Sequence, residues 1–403
     1  MQMLCSCFPF PVKKRSGSSA TKHPVLCSPV KVGRMLMSSR IVMSSMTRTR
    51  CEPNGMTNDM NVLYYSQRAA KGTLLICEGV SPSPTGYGYY REPGLYTQEQ
   101  AVGWKKISDV VHAKGGYIYC QVFHAGRVSH SSLLHGDLNG VKIPLAPSAI
   151  AKSGVCHTPS GKVPFEVPHA LTVDEIKAVI KEHVACAKLA VEVAGFDGIE
   201  FHSANGYLLH EFLSAQTNHR TDDYGGSVSN RCRFHLELID AVSAAIGSDR
   251  VAIKFSPGMT FSDLTDEPED IKALYPHLLA ELSKKNLAYV EVSDFMRMVN
   301  GTGNPGVDIF ELFQKNYKGS LGLNANITPD QADELIAEKK AAFVLFGGFY
   351  LSNPDFAHRI RSGLDLAAKD KVGMNLWYGS GLKPEEQSKG YTDQAAFDGS
   401  IPK

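Results

Sequence analysis

The chain has 403 residues, 43% of them apolar, enough for a full core and for either two average domains or one large α/β barrel. Its 42 basic and 41 acidic residues leave a net charge of +1, which gives no pull toward nucleic acid or an anionic membrane surface. No run of about 18 apolar residues occurs, so no membrane span is expected, and the nine cysteines are scattered without a C-x-x-C pair, as in a reduced, cytoplasmic protein.

Residues 1–24 carry Lys13, Lys14, Arg15 and Lys22 among Ser, Thr and Pro, with no acidic residue before Glu52. They read as a basic, disordered extension, because Pro9 and Pro11 interrupt any amphipathic helix. A short organelle-targeting peptide is the alternative. From residue 25 to 382 one unit repeats. Strands are expected at Arg40–Ser44, Leu74–Glu78, Tyr117–Phe123, Phe196–Phe201, Val251–Ser256, Tyr289–Ser293, Ser320–Asn324 and Ala342–Phe346. Helical patterns alternate with them: Asp59–Ala70, Thr97–Ala113, Thr172–Ala194, Arg231–Ile246, Asp270–Lys284, Pro329–Glu338 and Pro354–Gly363. Thr172 and Glu175 form a capping-box signature at the third. The strands are near-continuous apolar runs, as when both faces are covered, and eight such units predict a single α/β (β/α)8 TIM barrel. The stretch Ala125–Leu171 is too long for an ordinary connection. Its Gly136-Asp137, Asn139-Gly140 and Pro144 suggest a hairpin or partial lid after strand three, or a plain surface loop. Residues 383–403 read as a C-terminal tail.

In such a barrel the chemistry sits at the carboxyl ends of the strands. Those ends carry Ser45, Met46 and Thr47; Glu78 and Gly79; Gln121, Phe123 and His124; His202, Asn205 and Tyr207; Lys254; Ala325 and Asn326; Gly347 and Gly348. A histidine at a strand end is often only a structural residue, and a double glycine only a tight turn. The set lacks the facing acids of a glycosidase. His202 and His210 with Glu211 have no metal-site spacing, so no metal is expected. What the set suits is a planar, heteroatom-rich ring with a phosphate tail. An amide such as Gln121 both donates and accepts along a ring edge. Lys254 can sit beside an atom that becomes anionic on reduction, Thr47 can donate to a ring carbonyl, and Gly347-Gly348, ahead of a short helix, can expose backbone N–H groups to phosphate.

Several ordered motifs resemble the Old Yellow Enzyme family of FMN-dependent ene-reductases, including the 12-oxophytodienoate reductases. They are Ser39–Arg48, Glu92–Thr97, Gln121–Arg127, Leu145–Ile150, His202–Arg231 and Ser352–Asp355, spread over nearly the whole chain. The resemblance implies the same eightfold barrel, bound FMN, NADPH as co-substrate and a small enone or enal as substrate. It implies that His202 and Asn205 hold the substrate carbonyl oxygen and that Tyr207 donates the proton. Thr47 would bond flavin O4, Gln121 the pyrimidine edge and Gly79 a backbone contact near the ring, while Phe123 and Tyr378 would line the substrate side. The chain departs from the pattern at Ser45 (for Pro), Lys254 (for Arg), Gly348 (for the Arg that grips the phosphate) and Ala325-Asn326 (for a glycine-rich pair). These departures imply weaker FMN retention. Gly348 and Lys254 also keep open a non-catalytic flavin-binding barrel, and the promiscuity of reduced flavin keeps open a reductase of other acceptors (quinones, nitro compounds, peroxides). The choice between monomer and homodimer stays open.

Overall fold

The computed structural model describes residues 21–398, apart from 261, 295, 298–302 and 305. Eight parallel strands close into a barrel: β1 Ile41–Met43, β2 Leu74–Val80, β3 Tyr117–Val122, β4 Gly198–Ser203, β5 Val251–Phe255, β6 Tyr289–Ser293, β7 Leu321–Asn324 and β8 Phe343–Phe346, with β8 pairing back onto β1. Almost every strand residue is buried, because one face packs the barrel interior and the other packs the helical ring. All eight expected strands are present, each within two residues of its expected start.

The helices form where capping chemistry starts them. Capping boxes at Asn58, Thr97, Thr172 and Thr328 open the helices Asp59–Arg68, Gln98–Ala113, Val173–Lys188 and Pro329–Ala337, each satisfying amide donors that a helix start leaves free. A hairpin, Val30–Val32 with Met35–Met37, lies across the amino-terminal mouth. Its Val32, Met35 and Met37 pack with Val42, Leu74, Tyr119 and Phe343 from the early part of the strands. That end is plugged with apolar side chains, so the carboxyl end is the one available for a site.

Several elements differ from expectation. The helix expected through Ala194 is α-helical only to Lys188 and continues as a π-turn, Leu189–Val193. Two helices, Leu208–Leu213 and Ile309–Asn316, had no counterpart among the expected elements, while the short helix expected after Gly347-Gly348 is present as Gly348–Ser352. Leu208–Leu213 is only six residues long, too short for a helical period to show. In the excursion, Asn139 and Gly140 do make a tight left-handed turn under a Leu138–Val141 bridge, but the longer hairpin is Val155–Thr158 with Gly161–Pro164. Part of the stretch 295–309 between β6 and the helix Ile309–Asn316, and residues 1–20, lie outside the described residues. Thr21 donates to the Ile360 carbonyl at 3.1 Å, so the chain lies against the barrel from there onward. Much of the tail after residue 382 packs as well: the Tyr391 ring stacks on Tyr64 at 4.1 Å. Among the described residues no helix is long and apolar enough to cross a membrane, and no three His, Cys, Asp or Glu side chains cluster as a metal site.

Candidate active site

The turn after β4 does the first part of the work. Asn205 (φ 56°) and Gly206 (φ 76°) both take left-handed backbone, which asparagine and glycine tolerate, and so fold Tyr207 back over His202. The Asn205 N–H donates to the Ser256 hydroxyl at 2.8 Å, tying the turn to the end of β5. Asn205 Nδ2 then lies 3.4 Å from His202 Nε2, a spacing at which both nitrogens can donate to one shared oxygen. The Tyr207 ring stands edge-on to His202, centroids 5.3 Å apart, and to Phe123, 4.5 Å apart. Its hydroxyl lies 2.6 Å from that of Tyr89, whose ring in turn stacks on Tyr378 at 6.1 Å. Burial, with the nearby Lys254 charge, pushes the His202 imidazolium pKa down to about 3, so the ring is neutral at ordinary pH. Burial raises the Tyr207 phenol, which therefore keeps its proton. The cluster is two neutral donors and one phenolic proton on one wall.

Beneath it the register builds a polar floor. His202 pairs with Lys254, Lys254 with Glu291, and Glu200 with Gln121. The Ser45 hydroxyl donates to Gln121 Oε1 (2.7 Å), Gln121 Nε2 donates to Glu200 (2.8 Å), and the Tyr289 hydroxyl donates to the other Glu200 oxygen (2.9 Å). Lys254 Nζ sits 2.8 Å from Glu291, which also accepts from Asn324 Nδ2 at 2.9 Å. Sequence reasoning treated Gln121 and Lys254 as free for a ligand; here each has a protein partner. It also missed Glu200 and Glu291, both fully buried. An acid in mid-strand, within an apolar run, was the available signal. Burial, reinforced by Glu291, holds the Glu200 carboxyl well above the usual range. For Lys254, burial pulls the pKa down, but the Glu291 and Glu200 carboxyls outweigh it and hold the ammonium above its ordinary value.

The rim joins the ends of β1, β7 and β8. Glu78 accepts from the Arg48 and Thr49 amides at 3.1 and 3.0 Å, fixing the strand just past Thr47. The Thr47 side chain is half-buried, and among the described residues its hydroxyl has no partner, so it is available to a bound carbonyl. A Cβ on Gly79 would lie 3.0 Å from the Phe123 Cβ, so this glycine lets Phe123 pack closely against the end of β2, while one on Gly347 would make an ordinary 3.4 Å contact with Met46 Sδ. Ala325 is buried and Asn326 is exposed with φ 47°. Tyr378 is 42% exposed at the outer edge and joins the cluster through Tyr89. The structure thus brings Ser45, Met46, Thr47, Gln121, Lys254, Gly347 and Gly348 to one strand-end mouth, with His202, Asn205, Tyr207 and Phe123 on its wall. His210 and Glu211 turn away, His210 to Asp266 (3.2 Å) and Glu211 to the Arg127 amide (2.8 Å). A hollow of about 470 Å³ between Pro147–Ile150 and His219–Asp222 is a separate surface feature, and its Arg220 is already engaged by Pro147, Leu171 and Asp222.

A polar strand-end mouth of this kind, with a partnerless threonine hydroxyl, fits a flat polar ring. Comparison with known proteins agrees. Residues 25–367 match the family described as NADH:flavin oxidoreductase / NADH oxidase. The flavin oxidoreductase hxnT of Emericella nidulans is 37% identical, with 94% of this chain and 98% of that protein covered. The 12-oxophytodienoate reductase 1 of Oryza sativa subsp. japonica is 36% identical, covering 93% and 94%. The solved Old Yellow Enzyme homologue from Zymomonas mobilis superposes with a TM-score of 0.83 at 31% identity, covering 92% of this chain and 99% of that one. With the family match running from ahead of the hairpin plug to beyond the last barrel strand, the chain belongs to the NADH:flavin oxidoreductase / NADH oxidase family, the FMN-dependent oxidoreductases of Old Yellow Enzyme type.

Proposed function

We propose that this protein reduces the C=C bond of α,β-unsaturated carbonyl compounds, with NADPH as the source of electrons and a ping-pong exchange of nicotinamide for enone at one site. FMN, when bound, supplies the hydride acceptor and donor between the two. Thr47, Gln121 and Lys254 are the residues that would meet its ring, with the backbone around Gly79 alongside, and the Ala325-Asn326 and Gly347-Gly348 corners would meet its phosphate.

The observation that carries the reading is the 3.4 Å convergence of His202 Nε2 and Asn205 Nδ2, with the Tyr207 phenol beside them. A carbonyl oxygen held by both nitrogens is polarised, which stabilises the negative charge that builds there as hydride reaches the β-carbon. A neutral imidazole with its proton on Nε2 suits this task, because it donates to the oxygen without placing a charge in the buried wall. Tyr207, protonated through burial, gives its proton to the α-carbon as general acid, and the Tyr89 hydroxyl at 2.6 Å relays a replacement proton to it, itself reprotonated from solvent. Phe123 and Tyr378 bound the space in which an apolar enone would lie.

Anaerobic stopped-flow tests this directly. Purified protein should be yellow, bleach with reduced nicotinamide and recolour with cyclohexenone. NADPH and NADH run side by side give the preference. Protein that is yellow but never bleaches is a binding barrel. Protein that bleaches yet recolours only with quinone, nitro compound or peroxide is a reductase of those acceptors.

A further inference from the structure

Two departures from the family pattern meet at one corner. Gly348 stands where an arginine is expected to grip phosphate, and Asn326 stands where glycine is expected. They follow β8 and β7, which are neighbours in the barrel. The chain comes back to this corner after the helix Phe356–Ser362. There a Cβ on Gly348 would come within 3.0 Å of the Lys369 carbonyl oxygen and 3.4 Å of the Lys369 Cβ. The root of any side chain at position 348 would therefore press on the Lys369 segment. That same segment carries in an ammonium: Lys369 Nζ reaches the Asn326 side-chain oxygen. Asn326 takes left-handed backbone, which turns its amide into the corner and which asparagine tolerates. Among the described residues no carboxylate forms an ion pair with Lys369, so its charge has only a neutral amide to meet.

We infer that Lys369 replaces the missing arginine as the cation for the FMN phosphate, with Asn326 as its partner and Gly348 as the residue small enough to let the segment pass. The inference rests on the FMN reading above. It changes the expectation of weak retention: the phosphate keeps a positive partner, delivered from outside the strand-end loops. A lysine is a strongly hydrated point charge without the arginine fork, so binding should depend more steeply on salt than a bidentate grip would.

The test uses the full chain, freed of flavin by dialysis and titrated with FMN or riboflavin at low and high ionic strength. Riboflavin lacks the phosphate and serves as the control for folding and for the ring site. Lys369→Met should raise the FMN dissociation constant about 10- to 100-fold, the scale of one charge-assisted contact, and leave that of riboflavin unchanged. Lys369→Arg should restore FMN affinity to within a few-fold of the parent. Equal FMN affinity in parent and Lys369→Met overturns the assignment while the FMN reading stands. A parallel loss of riboflavin overturns it too, since the effect would then not be on phosphate. A parent chain that takes up neither flavin overturns the FMN reading, and this inference with it.

Discussion

The hydroxyl oxygens of Tyr207 and Tyr89 lie 2.6 Å apart, and both phenols are held above their ordinary pKa by burial. The pair can therefore pass a proton without either ring becoming charged for long. Replacing Tyr207 with Phe should slow enone reduction by about 10²–10⁴ and leave nicotinamide oxidation intact, because only the first reaction consumes that proton. Tyr89→Phe removes one neutral hydrogen bond, about 0.5–1.5 kcal/mol, so a loss of roughly 2- to 12-fold is expected in the same step. Transient kinetics of the two half-reactions check both. An equal fall in each half for Tyr207→Phe would end its role as donor.

The imidazole–amide clamp predicts a binding effect separable from turnover. Phenols present an oxygen like that of the reacting carbonyl, so His202→Ala or Asn205→Ala should each weaken phenol binding about 10- to 100-fold, the worth of one bond to a charged oxygen. Because His202 titrates near pH 3, it stays neutral through pH 5–8. Phenol affinity, corrected for the phenol's own ionisation, should therefore show no histidine step in that range. Spectral titration of the visible band reads both, and a step near pH 6.5 would mean that the imidazole is more solvated than its 7% exposure indicates.

Which parts were legible in the chain follows from how local their causes are. The strands were legible because covering both faces leaves unbroken apolar runs, and Thr172 with Glu175 announced a helix start that the structure reproduces. His202, Asn205 and Tyr207 were legible because six consecutive residues carry the whole turn. Glu200 was not singled out, although it lies two residues before His202 on the same inward face; its meaning depends on Gln121 and Tyr289 from other strands. Tyr89 needed the same kind of knowledge, since it faces Tyr207 only after a loop held by Glu92, which accepts from the Gly88 and Tyr89 amides. Lys369 sits in an irregular stretch with no period at all, and its approach to Gly348 is a tertiary fact.

The buried Lys254–Glu291 pair predicts an electrochemical shift. Lys254 is placed to stabilise the negative charge that reduction puts on a bound ring, but Glu291 at 2.8 Å offsets it. Glu291→Gln keeps the shape and removes the offset, so the midpoint potential of the bound flavin should rise. About 30 mV corresponds to 1.4 kcal/mol for a two-electron couple. Lys254→Met should lower the potential. Equilibration with reference dyes measures this without turnover, and potentials equal to the parent's in both variants would show that the ammonium does not face the ring.

Glu211 predicts a pH dependence of stability. It lies buried on Leu208–Leu213, accepts from the Arg127 amide at 2.8 Å, and sits so close to Gly126 (φ 62°) that a Cβ there would collide with its carboxylate. The Leu208 amide in turn donates to the His124 carbonyl at 3.1 Å, so the turns after β3 and β4, which carry Phe123 and Tyr207, are joined here. Burial raises the Glu211 carboxyl from 4.5 to about 8, outweighing the Arg127 charge and amide, which pull the other way. The folded state therefore binds this proton more tightly than the unfolded chain. The stabilisation is complete below pH 4.5 and drains away as the pH rises toward 8, at about 1.4 kcal/mol per pH unit at most. Glu211→Gln mimics the protonated acid at every pH. Its melting temperature should therefore gain on the parent's steadily between pH 5 and 8 and stop gaining above that. Melting curves that run parallel across this range would show that Glu211 is ionised in the folded protein, with Arg127 fully offsetting its burial.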